Sequence, residues 1–356
     1  MASETRAIAA PLTGIRLGRS RWRTTAVVVV AFAAVAGVLV LGVGFGSVAI
    51  APGDSVAILA HRLFGLPVER TWSAAAETIV IDLRLPRVLS AMLVGAGLAV
   101  AGVTFQGLLR NPLADPYVLG TASGAALGAA IAVLIPVRLL ILELGLLNVF
   151  AFVGALVTVA VVYRVGRSGG LTGLLLTGYA VGSLLAAGLA MTMYLSGSNL
   201  RQIFSFLLGG FDGASWLRLA IALPLVVGGS VAIVLRSRSL NGLLLGDEAA
   251  ANLGVDVRRE RAILLALASL VTAAGVAISG LIGFVGLLVP HLVRLAVGPD
   301  ARRVLPLSAV VGAVLLGGAD LVARMAGDIP VGVVTALVGA PIFVLLLRRT
   351  RTGYEL

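Results

Sequence analysis

Enzymatic chemistry needs nucleophiles, titrating bases or metal ligands, and this sequence holds few of them. All 27 of its basic residues are arginine, because no lysine occurs, and cysteine is absent. Without lysine there is no phosphate-binding loop ending in Gly-Lys-Ser/Thr, so the chain is not by itself a standard ATPase, and no Schiff base can form. Without cysteine there are no thiolate nucleophiles, disulfides or thiolate metal sites. His61 and His291 are the only histidines, too few for a respiratory-type stack of bis-histidine haems. We expect no catalytic residue, no metal site and no cofactor bound by the chain itself.

The remaining charged groups fall into a few clusters. In Ile81–Arg87, Pro86 suits the first turn of a helix, where its missing N–H costs nothing. Arg84 and Arg87, three apart, then project from about the same side of that helix mouth. They either snorkel to lipid phosphates or dock an acidic external partner. Asp320 and Arg324, four apart, can pair along one helix face. Glu143 lies near an outer helix end, while His291 and Arg294 follow Pro290 near an inner end, His291 being a structural histidine or a ligand. Proton coupling would want carboxylates near the bilayer midplane, and these sit towards interfaces, which weakens a reading as an ion-coupled secondary transporter. Arg110–Tyr117 contains Pro112 and Pro116 and predicts a tight turn. Ser239–Val255 mixes leucines with acids and is broken at Gly242, Gly246 and Gly254. It predicts two short helices, with Asp247 and Glu248 in the first turn of the second. A stretch so apolar outside the bilayer must be buried against either the membrane surface or a partner protein.

The elements that position these groups are membrane helices. Of the 356 residues, 59% are hydrophobic and 12% charged, and the mean hydropathy is +1.09, outside the range of soluble globular chains. A spanning helix needs about 20 mostly apolar residues. Ten such spans are expected: Thr24–Val48, Pro86–Leu109, Leu119–Pro136, Leu139–Tyr163, Leu171–Leu195, Trp216–Leu235, Arg261–Ser279, Leu281–Val297, Leu305–Met325 and Val331–Leu347. They bound a permease domain over residues 24–347, a cytoplasmic N-terminal segment over 1–23 and a cytoplasmic tail over 348–356. With both termini inside, most arginines fall on cytoplasmic segments. Arg62, Arg70, Arg84, Arg87, Arg138, Arg201, Arg218 and Arg324 are left outside, in keeping with the positive-inside rule. The same loops account for the formal charge of +11, and no nucleic acid is expected as a partner. The first apolar run is too long for a cleavable signal and reads as a retained helix.

Several of these segments together resemble the FecCD (BtuC-like) permeases, the membrane subunits of ABC importers for iron-siderophores, haem and vitamin B12. They are Arg84–Arg87, Arg110–Pro116, Gly246–Gly254, Gly283–His291, Asp320–Arg324 and Pro330–Pro341, and the resemblance covers nearly the whole chain after about Asp82. It implies a homodimer of all-α, ten-helix subunits with the type II importer fold in the cytoplasmic (inner) membrane. The pathway would lie at the dimer interface, with two cytoplasmic P-loop ATPase subunits carrying ATP and Mg, and an external substrate-binding protein. It identifies the stretch of about 240–254 as the coupling helices seated in the ATPase: Leu240, Leu244, Leu245, Gly246, Asp247, Glu248, Ala251, Leu253 and Gly254. It also matches Arg84, Arg87 and Arg324 to arginines that meet acidic residues of the binding protein. Between Arg324 and Pro330 the chain is about one helical turn shorter than many relatives. Thr177, Tyr179, Ser183, Thr192 and Tyr194 of the fifth span are candidates for the pathway wall, although packing explains them nearly as well. A non-transporting scaffold is disfavoured by the Pro and Gly interruptions within spans.

Overall fold

The computed structural model describes residues 18–46, 48–135, 140–141 and 144–351. In chain order the helices are α1 (Gly18–Gly44), α2 (Pro52–Phe64), α3 (Ala74–Thr78), α4 (Leu85–Leu108), α5 (Thr121–Leu134), α6 (Leu146–Gly166), α7 (Gly170–Leu195) and α8 (Leu200–Leu208). They continue with α9 (Trp216–Leu235), α10 (Ser237–Leu244), α11 (Asp247–Asn252), α12 (Val257–Ser279), α13 (Val285–Val297), α14 (Ala301–Met325) and α15 (Val331–Arg351). A π-helical turn, Ile79–Arg84, joins α3 to α4 without a break. Two-residue strands at Leu140–Ile141 and Leu144–Gly145 pair antiparallel.

Each of the ten expected spans coincides with one helix: α1, α4 to α7, α9 and α12 to α15. The stretches Ala74–Leu108, Leu146–Leu195, Trp216–Leu235, Val257–Ser279 and Ala301–Met325 are long and apolar enough to cross a bilayer, the second containing both α6 and α7. The other four spans hold shorter apolar helices. Boundaries shift where the backbone says so. The fourth span begins at Leu146, not at Leu139, because the short strand pair takes up the chain before it; Glu143 and Arg138 lie outside the described residues. α13 begins at Val285, not at Leu281, because Gly280 and Phe284 both adopt left-handed φ, of 68° and 69°, which ends α12 and delays the next helix. α1 starts at Gly18 and α15 runs to Arg351, so helix extends into both flanking segments. The helices α2 and α8, each with one face buried, were not expected.

The centre of the bundle is α4, which is buried along nearly its whole length and packs most extensively on α14, then on α12, α13 and α9. Lipid supplies no hydrophobic drive for helices to associate, so close van der Waals contact must do so, and small residues permit it. A Cβ on Gly95 would lie 2.2 Å from the Gly312 carbonyl oxygen of α14, and one on Gly102 would lie 1.9 Å from that of Gly286 in α13. The turn between α4 and α5 folds back on the α12–α13 break. The Tyr117 hydroxyl donates to the Ile282 carbonyl at 3.0 Å and accepts from the Ile282 N–H at 3.2 Å, while the Asp115 carboxylate accepts from the Tyr117 N–H at 2.8 Å.

Candidate coupling surface and opposite charge cluster

At one end of the bundle, α10 and α11 form a bent pair. Leu240 and Leu243 are buried, Leu240 pressing on Gly107 of α4. Asn241 ties α10 to the start of α14: its Nδ2 donates to Asp300 Oδ1 at 2.7 Å and its Oδ1 accepts from the Ala301 N–H at 2.8 Å. Arg110 donates through Nε to the Leu243 carbonyl at 3.0 Å, adding a side-chain donor to a carbonyl at the end of α10 that also accepts from the Gly246 N–H. Asp247 pairs with Arg110 and, at 2.7 Å, with Arg261 of α12. The hydrogen bond from Arg261, reinforced by Arg110, holds the Asp247 carboxyl below the usual carboxylate range. Gly246, with φ of 117°, forms the corner between the two helices.

The anchored pair presents an apolar outer face. Leu245 is 70% exposed and Leu253 66% exposed, with Leu244, Glu248, Ala251 and Gly254 exposed beside them. Of the residues expected to couple, these face outwards. Leu240 instead anchors α10, Gly246 shapes the corner and Asp247 holds α11 against the bundle. Sequence reasoning missed Asn241, Leu243 and Arg261 here, because their partners lie in distant helices or in the backbone. The alternation of leucines with glycine breaks located the surface but not its anchors.

At the opposite end of α4 the three expected docking arginines are turned inwards. Arg84 is buried, and its Nη1 donates to the Val43 and Gly44 carbonyls at 3.0 and 2.9 Å, with Nη2 bonded to the Val48 carbonyl. The Val43 and Gly44 carbonyls are among the acceptors that the end of α1 leaves without intrahelical partners, and a cation there also suits the helix dipole. Arg324, also buried, pairs through Nε with Asp320 at 3.1 Å and donates through Nη1 to the Phe45 carbonyl at 3.0 Å. The Asp320–Arg324 pairing expected from spacing is therefore present. It is joined by Arg87, which lies 2.9 Å from Asp320 through Nε and 2.9 Å from Asp212 through Nη1. Asp320 is fully buried, whereas the Asp212 side chain is 71% exposed. A chain of alternating charge, Asp212–Arg87–Asp320–Arg324, thus leads from the surface into the bundle. Asp212 is the member that meets the surface, and Arg87 is the arginine nearest to it.

Along α7, Tyr179, Ser183 and Tyr194 lie on one exposed face with Leu176 and Leu184. Thr192 does not join them: it is buried, and its hydroxyl donates to the Gly188 carbonyl at 2.8 Å. Thr177 is half-buried and lies about a quarter turn or more from Tyr179, Ser183 and Tyr194, beside Leu184.

A sequence model of the FecCD transport family matches residues 33–349. The "Cobalamin import system permease protein BtuC" of Halobacterium salinarum is 45% identical over 301 residues, covering 83% of this chain and 79% of its own. The "Hemin transport system permease protein HmuU" of Yersinia pestis is 42% identical over 280 residues, covering 77% and 84%. Among solved structures, one described as a metal-chelate type ABC transporter in an inward-facing conformation superposes with a TM-score of 0.78 at 31% identity. It covers 90% of this chain and 97% of that one.

Proposed function

The chain belongs to the FecCD transport family, and on that premise we propose that it is the permease subunit of an ABC importer that carries a metal chelate inward across the cytoplasmic membrane. The chelate class is haem or cobalamin, as the names of its relatives suggest, or an iron-siderophore, as the family resemblance implies. The single observation that carries the reading is the outer face of α10 and α11. Two leucines, Leu245 and Leu253, stand more than half exposed at the C-terminal ends of short helices fixed to the bundle by buried leucines and ion pairs. A rigidly mounted apolar knob suits a partner's cleft. The partner is a separate ATPase subunit, since the chain has no lysine for a phosphate-binding loop, and ATP and Mg belong to that subunit.

The α7 face supports a homodimer. Exposed hydroxyls of Tyr179, Ser183 and Tyr194 find no acceptor in hydrocarbon, so a second copy across a water-filled pathway is the better neighbour. An acidic external binding protein would meet Arg87 first, because Arg84 and Arg324 serve the end of α1. With both termini cytoplasmic, α10 and α11 face the cytosol.

The test is purification of the tagged chain in mild detergent beside Leu245→Arg. The reading expects a lysine-bearing P-loop ATPase in equal amount with the parent chain, at least tenfold less with Leu245→Arg, and substrate uptake in vesicles driven by ATP. Uptake that follows an ion gradient with no ATPase bound would instead establish the ion-coupled secondary transporter.

A further inference from the structure

Beside the anchors of α10 lies a cleft of about 240 Å³ between α4, α10, α13 and α14. Its polar lining consists of Gln106, Arg110 and Arg294. Gln106 Nε2 donates to the Gly286 and Leu287 carbonyls at 3.3 and 3.2 Å, which turns its Oε1 to accept from Arg294 Nη2. Among the described residues Arg294 forms no ion pair, and the nearby Arg110 already shares the single Asp247 carboxylate with Arg261. Arg110 and Arg261 therefore share one carboxylate, the Asp300 carboxylate beside the cleft is engaged by Asn241 and the Arg302 N–H, and Arg294, with no ion pair, opens onto empty space. The other walls are apolar, including Val103, Leu240 and Val304. On α13, Leu295 beside Arg294 is 67% exposed.

We propose that this cleft binds the headgroup phosphate of an anionic phospholipid from the adjoining leaflet, with Arg294 as the principal cation. The charge calls for an anion, and the apolar walls and exposed leucine give acyl chains a surface that a free anion would not use. Basic pockets between membrane helices suit such headgroups. The proposal does not depend on the transport reading.

The full-length chain, delipidated in detergent, would be titrated with phosphatidylglycerol, phosphatidylcholine and inorganic phosphate under native mass spectrometry. Phosphatidylglycerol should bind in preference to phosphatidylcholine. Arg294→Gln should weaken that binding roughly fivefold, the equivalent of one basic group near an anionic lipid. Pro299→Glu, which puts a carboxylate at the exposed rim without disturbing the buried wall, should weaken it by at least as much. Should Arg294→Gln fail to fold, judged by its unfolding midpoint, Pro299→Glu decides. Equal binding of the two lipids overturns the proposal, as does an unchanged preference in the folded variants. Phosphate binding without a lipid preference overturns it too, by making the cleft a free-anion site.

Discussion

Asparagine in place of Asp320 keeps the shape of the side chain and removes its charge. The carboxylate is fully buried, 2.9 Å from Arg87 Nε and 3.1 Å from Arg324 Nε. At an effective dielectric constant of about 20, each contact amounts to about 5 kcal/mol of Coulomb attraction, most of it offset by the desolvation of all three groups. The relevant quantity is what remains when one partner goes: two guanidiniums facing each other in a buried site, a loss of about 3–5 kcal/mol. Arg87 keeps Asp212 at 2.9 Å, but that carboxylate is mostly exposed and returns at most about 1 kcal/mol. A net loss of about 2–4 kcal/mol follows. Equilibrium unfolding of Asp320→Asn in detergent should show it as a large drop in denaturant midpoint. The double variant Asp320→Asn/Arg324→Met, which deletes one of the stranded cations, should regain part of the loss. A single variant as stable as the parent would refute the reasoning, as would a double variant whose losses simply add.

Three further outcomes can be checked by similar means. Gly102→Ala should force α4 and α13 apart, since its Cβ would fall 1.9 Å from a carbonyl oxygen; a loss of about 1–3 kcal/mol is expected, and an unchanged heat-unfolding midpoint would contradict so close an approach. Burial pushes the Asp115 carboxyl up to about 6 from its ordinary 3.8, so between about pH 4 and 6 the folded chain holds a proton that the unfolded chain has released, and stability from this group falls as pH rises through that window. Asp115→Asn, which keeps an acceptor for the Tyr117 N–H, should flatten that dependence and raise the unfolding free energy measured at pH 7.5 by at most about 3 kcal/mol. Asp247 has the opposite sign: its lowered carboxyl stabilises α11 above the ordinary carboxylate range, and that support is lost as pH falls through its depressed folded value. Amide exchange in α11 should accelerate below about pH 4 relative to α4, and equal slopes for the two helices would remove the claim.

The ten spans were legible because a bilayer imposes a length and a composition that can be counted along the chain. The amphipathic α2 and α8, of 13 and 9 residues, fall below that count, and their buried faces depend on neighbours distant in sequence. The same division runs through the site. Asp320 and Arg324 pair across one helical turn, so spacing alone reveals them, whereas Arg87 reaches Asp320 across 233 residues. Arg84 was legible as a cation at a helix mouth but not as a cap, because its acceptors are backbone carbonyls, which every residue carries and no sequence pattern marks. On α7 the helical period separates Thr192 from Tyr179, Ser183 and Tyr194, so its departure from that face follows from angle alone.

The way α1 is fastened also sets an order on how the chain can be made. α1 leaves the ribosome first, yet its terminal carbonyl at Val43 waits for an arginine 41 residues later, and that of Phe45 for one 279 residues later. Its close packing is split in the same way, Gly42 meeting Val88 of α4 and Val38 meeting Gly317 of α14. A nascent chain halted before α14 therefore holds its first helix by the Arg84 clasp and by packing on α2, the π-helical turn and α4, without the α14 contact. Such an intermediate presents α1 to membrane quality-control proteases, and full protection of the first helix arrives only with the last but one.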